Sequence, residues 1–580
     1  MNKIIIFLLL ISTCTGAFGQ TRPHWLQLQG SPLVDVRIFG AIGDGVADDT
    51  QAIKDTVAHV ASREDTDIVY FPKGTYRFLD AGYSIGGVKL WGEGTLVGGN
   101  QSPFVLSGPI DVRGLSFSGF SSVFYNGVAT ESIGDIHIEG VSADSFHTFV
   151  NLNLGGSSGP GGGYGSLVVK DSVFTNWNQV FYLSVAKASY TAFNNVQFIQ
   201  WPTWEPGDPF PGDLQPDDGL FISTQGRSSW GIRLRNQLNT DTLGDFFVTN
   251  CTFRNLLRNS DSPSDGRASG MLVAEPSSIF VTNNHFENLI GHFPTFVTTG
   301  QQKIYTSAQS AVYGRASSGA VVSGNTIINS TGAAINLLGA GGHKSTQITN
   351  NILINELPIG SRAIQSRQEN VLIDNNHIRG WQIAVRQFLE TPPNSPMSQA
   401  RITSNMIVEG TINVGSSDNL LISDNTLVLE TRTPIHMLTL GGSGDTPGRN
   451  VTIKDNIFKG TVDGDNRAAI SIQNIGTTTT YSNLRINRNS FNIGNDGAAV
   501  DWVMSTGGPV DGVTFPGEFK DNSYYGGGNL FTDRGGLKRI VVDGNIVNSQ
   551  PFTFTSSATA YFGALVSTGT ATWDILFDQP

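Results

Sequence analysis

The chain is poor in cysteine and in charge. Its 580 residues include 2 Cys, only 14% are charged, and the net charge is −12. Only Cys251 follows the N-terminal leader described next, so an internal disulfide in the mature chain is excluded. The acidic balance argues against nucleic acid and anionic membranes as partners. A local basic strip could still bind an anionic glycan, because a local charge can oppose the overall one.

Beyond the leader, no apolar run is long enough to span a bilayer. The leader itself has Lys3, an apolar run from Ile4 to Ile11, and Ala17 and Gly19 at −3 and −1 of a cut before Gln20. This pattern is typical of a secretory signal peptide. We therefore predict a signal peptide over residues 1–19 and a single domain over 20–580, secreted to the extracellular space or the periplasm.

Glycine is frequent, with 69 residues, and one short pattern recurs along the chain. It reads apolar, polar, small-polar, Asn, any residue, apolar. Clear copies are centred on Asn325, Asn351, Asn376, Asn405, Asn425, Asn456, Asn489 and Asn545. Weaker copies surround Ser172, Asn195, Cys251 and Asn284. Gaps of 26, 25, 29, 20, 31 and 33 residues between Asn325 and Asn489 suit one helical coil with variable loops.

An Asn at an inward bend can bond the backbone of its own turn and of the next coil. Coils stack at about 4.8 Å, so successive Asn side chains can form a ladder. The repeat therefore predicts an all-β parallel β-helix.

A second strand follows each marker, and the residue after its apolar position should face outward. This alternation predicts an outward polar track along the helix axis. Its members would be Asn336, Gln365, Arg386, Asn413, His436, Ser471 and Asp501.

The N-terminal segment carries the most specific motif. It reads FGAIGDGVADDTQAI, followed by a short helix over residues 54–61 and by VYFPKGTYRF. Asp48, Asp49 and Thr50 are good N-cap residues for that helix. Residues 34–100 resemble the pectate-lyase-like superfamily, in particular its rhamnogalacturonase/epimerase-like pectate lyase domain. The resemblance implies a right-handed β-helix with a short N-terminal capping helix, commonly acting on a polysaccharide, with Asp44, Asp48 and Asp49 in the capping motif.

One stretch, WPTWEPGDPFPGDLQPDD over residues 201–218, interrupts the repeat. Prolines stiffen such a loop, Trp rings can stack on sugars, and carboxylates can move protons. Asp217-Asp218 matches the Asp-Asp of the polygalacturonase branch, although no Gly-His-Gly follows. Glycoside hydrolysis needs two carboxyl groups about 5–9.5 Å apart, and Asp217, Asp218 and Glu275 are the predicted set. A rigid cover over an exposed flank is the alternative interpretation of this loop.

The leading prediction is a secreted glycoside hydrolase acting on an extracellular polysaccharide. A lyase acting by β-elimination is the alternative, with Arg367 and Arg386 neutralising a substrate carboxylate and His292, Tyr305 or His436 as the base. A non-catalytic glycan-binding or adhesion β-helix is a third class. No cofactor is predicted, and a Ca²⁺ site among the acidic loops, for which the sequence shows no specific spacing, stays open as an alternative. The predicted substrate-binding residues are Trp201, Trp204, Arg233, His292, Tyr305, Arg367 and Arg386.

Overall fold

The computed structural model describes most of the chain between Leu33 and Ile575. The described residues are 33–63, 67–126, 132–154, 162–205, 208, 229–236, 243–259, 268–274, 276–292, 310–315, 318–338, 345–356, 362–367, 370–385, 397–415, 417–430, 436–441, 449–461, 468–474, 482–494, 498–504, 517–526, 531–533, 539–548, 552–555, 559–562, 566–567 and 573–575. The leader lies outside them. In this part of the chain, no helix has the length and apolar character needed to cross a membrane.

The strands stack in parallel into three sheets that wind around one interior, and the predicted right-handed parallel β-helix is confirmed. The first sheet precedes the Asn turn of each coil. Its 19 strands are Leu33–Asp35, Ile68–Phe71, Val88–Gly92, Ile110–Arg113, Ile136–Glu139, Gly163–Lys170, Lys187–Asn194, Asp245–Thr249, Ser278–Thr282, Gly319–Ser323, Thr346–Thr349, Val371–Asp374, Ala400–Thr403, Leu421–Ser423, Arg449–Lys454, Ser482–Asn487, Gly517–Lys520, Arg539–Asp543 and Thr559–Phe562.

The second sheet follows that turn. Its strands are Asp44–Asp48, Thr75–Arg77, Thr95–Val97, Gln197–Ile199, Thr252–Asn259, His285–His292, Thr326–Ser330, Ile352–Ile354, His377–Arg379, Met406–Val408, Thr426–Val428, Ile457–Thr461, Ser490–Gly494, Ser523–Gly526, Ile546–Asn548 and Val566–Ser567. Three long strands bend through the next corner and pair in both the second and third sheets: Ser116–Asn126, Ser142–Asn153 and Val173–Val185.

The third sheet completes each coil. Its other strands are Tyr83–Ile85, Phe104–Leu106, Ser229–Asn236, Ala268–Ala274, Val312–Arg315, Ile335–Leu337, Ile364–Ser366, Ile383–Val385, Ile412–Val414, His436–Gly441, Ala468–Asn474, Ala498–Met504, Phe531–Asp533, Phe552–Thr555 and Trp573–Ile575. A two-stranded pair, Met397–Ser398 with Ser417–Asp418, lies outside the three sheets.

A helix caps the start of the stack, as the sequence predicted, but it begins at Thr50 and runs to Ala61. A 3₁₀ turn, Val36–Phe39, precedes it. Ile53, Val57 and Val60 face the first coil and are buried. Asp49 is also buried, and its carboxylate accepts a hydrogen bond from the backbone N–H of Ile42 at 2.6 Å. Solenoids need such a cap, because an uncovered end coil would expose its apolar interior.

The asparagine markers form an internal ladder. Asn405 is typical: its Oδ1 accepts from the backbone N–H of Asn376 at 3.0 Å and from Asn376 Nδ2 at 2.9 Å. Its Nδ2 lies 2.9 Å from Asn425 Oδ1 and 2.9 Å from the carbonyl of Ile373. The same bonds link ten coils, through Asn284, Asn325, Asn351, Asn376, Asn405, Asn425, Asn456, Asn489, Asn522 and Asn545.

The structure changes this repeat in two places. Asn522, which is not among the predicted copies although its surroundings fit the pattern, also belongs to the ladder. Asn195, one of the weaker copies, is exposed with a positive φ of 54°, and the buried Val196 takes the inner position. Asn suits both the left-handed bend and the inner ladder, so the residue type alone could not separate these adjacent positions.

Candidate functional site

The outer face of the third sheet carries a strip of arginine and tyrosine side chains in the middle coils. Strand pairing aligns one outward row as Tyr182, Arg233, Leu272, Tyr313, Asn336 and Gln365. The residues beside them in the strands, such as Ile232 and Val312, point inward and are fully buried. Period-two alternation therefore sets the direction of every side chain in this row.

Arg233 lies against two aromatic rings. Its guanidinium carbon is 4.8 Å from the centroid of the Tyr182 ring on the preceding coil. It is also 5.2 Å from the Trp230 ring, which precedes it on the same strand and is only 3% exposed. Cation–π contacts of this kind hold a guanidinium in place.

A second outward row carries arginines on alternate coils. Arg235 pairs with Ala274, and Ala274 pairs with Arg315. Two coils further on, Arg367 donates its backbone N–H to the Leu337 carbonyl, which continues the pairing of the strand that ends at Ser366. At a coil spacing of about 4.8 Å, these three cations recur roughly every 10 Å along the helix axis.

The strip is cationic within an acidic protein. Its two outward rows hold no Asp or Glu among the described residues from Val105 to Gln473, whereas the whole chain has a net charge of −12. We call the surface formed by Tyr182, Arg233, Arg235, Tyr313, Arg315 and Arg367 the arginine strip; the buried Trp230 ring lies beneath it and supports Arg233. Guanidinium groups with neighbouring aromatic rings suit a ligand that combines anionic groups with sugar rings.

The structure brings only part of the predicted site to this strip. Arg233 and Arg367 both lie on it. Asp217, Asp218, Glu275, Tyr305 and Arg386 lie outside the described residues, and so does the side chain of His292, which ends its strand. Glu275 directly follows the strand Ala268–Ala274, and Arg386 directly follows Ile383–Val385. The predicted catalytic role of the carboxylates therefore stays a prediction.

Trp201 and Trp204 pack against the strands Thr252–Asn259 and His285–His292 of the second sheet. Trp204 is 9% exposed and packs with Leu257 and Ile290, and Trp201 packs against the same cluster. Asn255 Nδ2 binds the carbonyls of both tryptophans, at 2.9 and 2.8 Å. The Trp204 ring is therefore buried, whereas Trp201 is only partly buried, and the predicted sugar-stacking role of this loop stays a prediction.

The predicted polar track keeps the expected strand register in most coils and is shifted in two. Asn336, Gln365, Asn413, Ser471 and Asp501 align in one row as expected. His436 is displaced from that row, because Thr439 pairs with Asn413 and Ser471. In the coil of Arg386, Ala384 takes the aligned position. Runs such as Ile383-Ala384-Val385 offer two inward candidates two residues apart, so the pattern alone could not choose the register.

Sequence reasoning missed Tyr182, Trp230, Arg235, Tyr313 and Arg315. The sequence did contain a signal for two pairs of these residues. In GIRLRN the residues Arg233 and Arg235 are two apart, and in VYGR so are Tyr313 and Arg315, which places each pair on one face of a strand. What the sequence could not supply is the register that places these strands within two coils of each other.

A separate charged cluster lies on the outer face of the first sheet, near the N-terminal end. Arg113 binds Asp111 through two hydrogen bonds of 2.8 and 2.9 Å and stacks on Trp91 at 4.8 Å. His137 lies 3.6 Å from Asp111 and 3.5 Å from Glu139, and burial lowers its pKa. These charges satisfy one another, so the cluster serves to tie three coils together.

In the part of the chain that the structure describes, no group of three or more His, Cys, Asp or Glu side chains could hold a metal ion.

The N-terminal segment matches a known family over a small part of the chain. Residues 33–102 match the family described as "Rhamnogalacturonase A/epimerase, pectate lyase-like", and the predicted resemblance to the pectate-lyase-like superfamily is confirmed.

Three curated relatives share parts of the sequence. Plasmin and fibronectin-binding protein A of Streptococcus pneumoniae is 24% identical over 282 residues, which cover 44% of this chain and 36% of that protein. Glucan 1,3-beta-glucosidase of Cochliobolus carbonum is 32% identical over 76 residues, covering 13% and 9%. The Non-secreted LysM effector LysM19 of Penicillium expansum is 40% identical over 63 residues, covering 11% and 5%. The chain thus spans about a third of the streptococcal relative and far less of the other two.

Solved structures that resemble the chain include a surface adhesin and a glucanase. PfbA, a surface adhesin of Streptococcus pneumoniae, has a TM-score of 0.30 at 15% identity, covering 68% of this chain and 92% of that one. The catalytic unit of a GH87 alpha-1,3-glucanase from Streptomyces thermodiastaticus has a TM-score of 0.31 at 14% identity, covering 78% and 68%. Because both TM-scores are low, these similarities say nothing about activity.

Proposed function

We propose that this protein is a secreted, carbohydrate-acting β-helix that binds an anionic polysaccharide along the arginine strip and cleaves it. The observation that carries the proposal is a cationic, aromatic row on one flat wall of an otherwise acidic molecule. A flat wall built from stacked coils offers the same contacts repeatedly, which suits an extended polymer.

The chemistry of the strip favours carboxylate or sulfate groups on the polymer. Arg binds such groups through two parallel N–H donors, and a charge-assisted bond is about twice as strong as a neutral one. Each guanidinium carries its five N–H donors in a planar fork, a geometry that matches a carboxylate or sulfate group. Arginines on alternate coils, about 10 Å apart, favour a ligand whose anionic groups repeat over a single small anion.

Hydrolysis is the cleavage that we propose first, with Asp217, Asp218 and Glu275 as the acid set. Glu275 supports this choice, because it follows a strand that lies between those of Arg235 and Arg315.

Elimination is the second candidate, and the arginines favour it. A guanidinium beside a uronic carboxylate would neutralise it and so make the neighbouring C–H more acidic. Adhesion without cleavage, in keeping with the name of the streptococcal relative, is the remaining outcome.

Incubation of the mature protein with neutral, sulfated and uronic-acid polysaccharides tests the proposal. We expect cleavage of an anionic polymer. New reducing ends without ultraviolet absorbance indicate hydrolysis, and unsaturated ends indicate elimination. Binding without either product would overturn the enzymatic part, and activity on neutral polymers alone would overturn the proposed role of the strip.

Matched variants then assign the residues. Arg233→Gln or Arg315→Gln should weaken polymer binding by about 10- to 100-fold, the loss of one charge-assisted hydrogen bond. Arg379→Gln, at an exposed position on the second sheet, is the control and should bind as the parent does. Asp218→Asn with full activity would remove Asp218 from the acid set.

A further inference from the structure

A shallow groove of about 330 Å³ crosses the outer face of the first sheet, on a different wall from the arginine strip. It spans three successive coils, because Arg401 pairs with Leu421 and Leu421 pairs with Thr452. The amides of Gln399, Asn419 and Asn450 form one side of it. Its volume is at the lower end of the range for small-molecule sites, about 300–1,000 Å³, and suits one or two sugar rings.

The amide side of the groove is held rigidly. Gln399, Asn419, Asn450 and Asn483 stack at the corner that leads into the first sheet, each with a positive φ between 53° and 62°. Asn450 Nδ2 donates to Asn419 Oδ1 at 3.0 Å, and Asn483 Nδ2 donates to Asn450 Oδ1 at 2.9 Å. The backbone N–H of Gln399 donates to the Asp418 carbonyl at 2.8 Å. The Asn419 and Asn450 side chains are therefore preorganised, which lowers the entropy lost when a ligand binds.

The direction of this amide row leaves donors on the groove side. Each oxygen accepts from the amide of the next coil, so the row ends at Asn419 with an Nδ2 group that has no acceptor among the described residues. The exposed guanidinium of Arg401 likewise forms no hydrogen bond or ion pair in the described part of the chain. Leu421 lies between Arg401 and Thr452 in neighbouring strands and gives the groove an apolar surface.

We infer that this groove is a second, non-catalytic binding site for an acidic sugar unit. The Arg401 guanidinium binds the carboxylate, the Asn419 amide and the Thr452 hydroxyl bind ring oxygens, and Leu421 contacts the apolar face of the ring. The inference rests on the proposed function in one respect: the groove is assumed to bind the same class of anionic polysaccharide as the arginine strip. Two sites on different walls of one rigid stack would hold one long polymer that reaches both more tightly than either site alone.

Affinity electrophoresis in gels that contain polygalacturonate or chondroitin sulfate tests the inference on the mature protein. Arg401→Gln should weaken retardation by at least one of these polymers by about tenfold, the loss of one charge-assisted contact. Asn419→Ala should weaken it less, since a neutral hydrogen bond is lost. Arg379→Gln is the matched control for removal of an exposed positive charge and should migrate as the parent does. Cleavage of a short oligosaccharide should be unchanged in Arg401→Gln, because one short chain cannot reach both walls.

The outcomes separate the two proposals. If Arg401→Gln weakens retardation and Arg233→Gln does not, the groove stands and the arginine strip is wrong. If Arg401→Gln migrates with the parent, or if neither polymer retards the parent, the groove is not an acidic-saccharide site. A loss of oligosaccharide cleavage in Arg401→Gln would also overturn the non-catalytic role.

Discussion

The two ends of the helix solve the same packing problem by different means. In the N-terminal coils, phenylalanine fills the interior, and Phe149 alone contacts five other phenylalanine rings at centroid distances of 4.8–6.2 Å. In the C-terminal coils the interior is mainly aliphatic, and the asparagine ladder from Asn284 to Asn545 lines one corner. At that corner, the earlier coils have Val141, Ser172, Val196 and Cys251.

The difference shows what each device controls. Ring packing is tolerant of direction, so the phenylalanine coils include strands of 11–13 residues that bend through a corner. The ladder satisfies buried backbone groups at one fixed position, and many strands beside it have three residues. The arginine strip straddles the two regions, with Arg233 among the phenylalanine coils and Arg315 and Arg367 among the ladder coils.

The largest effect is expected from a break in the ladder. Asn405→Leu should lower the free energy of unfolding by on the order of 5 kcal/mol, because several buried donors and acceptors, each worth about 1–3 kcal/mol, lose their partners. Denaturant unfolding of the mature protein measures it. Asn492→Leu, at an exposed position, is the control and should change stability by less than about 0.5 kcal/mol. An equal loss of unfolding free energy in both variants would show that the ladder asparagines stabilise the fold no more than exposed ones do.

A smaller effect is expected from the same new residue in the phenylalanine coils. Phe149→Leu should cost about 1–2 kcal/mol, since it leaves a small void but no unpaired polar group. The neighbouring rings can shift toward the void, which a hydrogen-bonded ladder cannot do. The same unfolding experiment checks this value, and a cost as large as that of Asn405→Leu would remove the distinction between the two regions.

The smallest effect is expected at Cys251, where the phenylalanine coils meet the ladder coils. Here the substitution should raise the free energy of unfolding and not lower it. Cys251 is buried, which raises its pKa to about 12, and its backbone N–H already donates to Asn284 Oδ1 at 2.8 Å. Cys251→Asn should extend the ladder by one coil and raise the free energy of unfolding by about 0.5–1 kcal/mol, the net value of one added hydrogen bond. Cys251→Leu is the comparison and should destabilise by overpacking. If the Asn variant is the less stable of the two, the ladder cannot extend into the phenylalanine coils.

Much of the fold was predictable because each coil repeats a local rule. The markers from Asn325 to Asn489 and the capping segment around Asp49 were identified from sequence patterns, and the ladder and the cap are where the patterns placed them. Asn195 was assigned wrongly, since an outer bend and an inner ladder position both favour asparagine. Asn522 was missed although Phe519-Lys520-Asp521-Asn522-Ser523-Tyr524 fits the repeat. The candidate site was less predictable: Arg233 and Arg367 were named, but Arg235 and Arg315 were not.

The sequence by itself determined the parallel β-helix, its capped start and the positions of most ladder asparagines, because these depend on contacts within one coil and its copies. The tertiary structure decided which outward residues share a wall. Coil lengths vary, so alignment across coils depends on strand pairing and not on residue spacing. That pairing placed Arg235 two coils from Arg315, moved His436 out of its expected row, and buried Trp204 against Leu257 and Ile290.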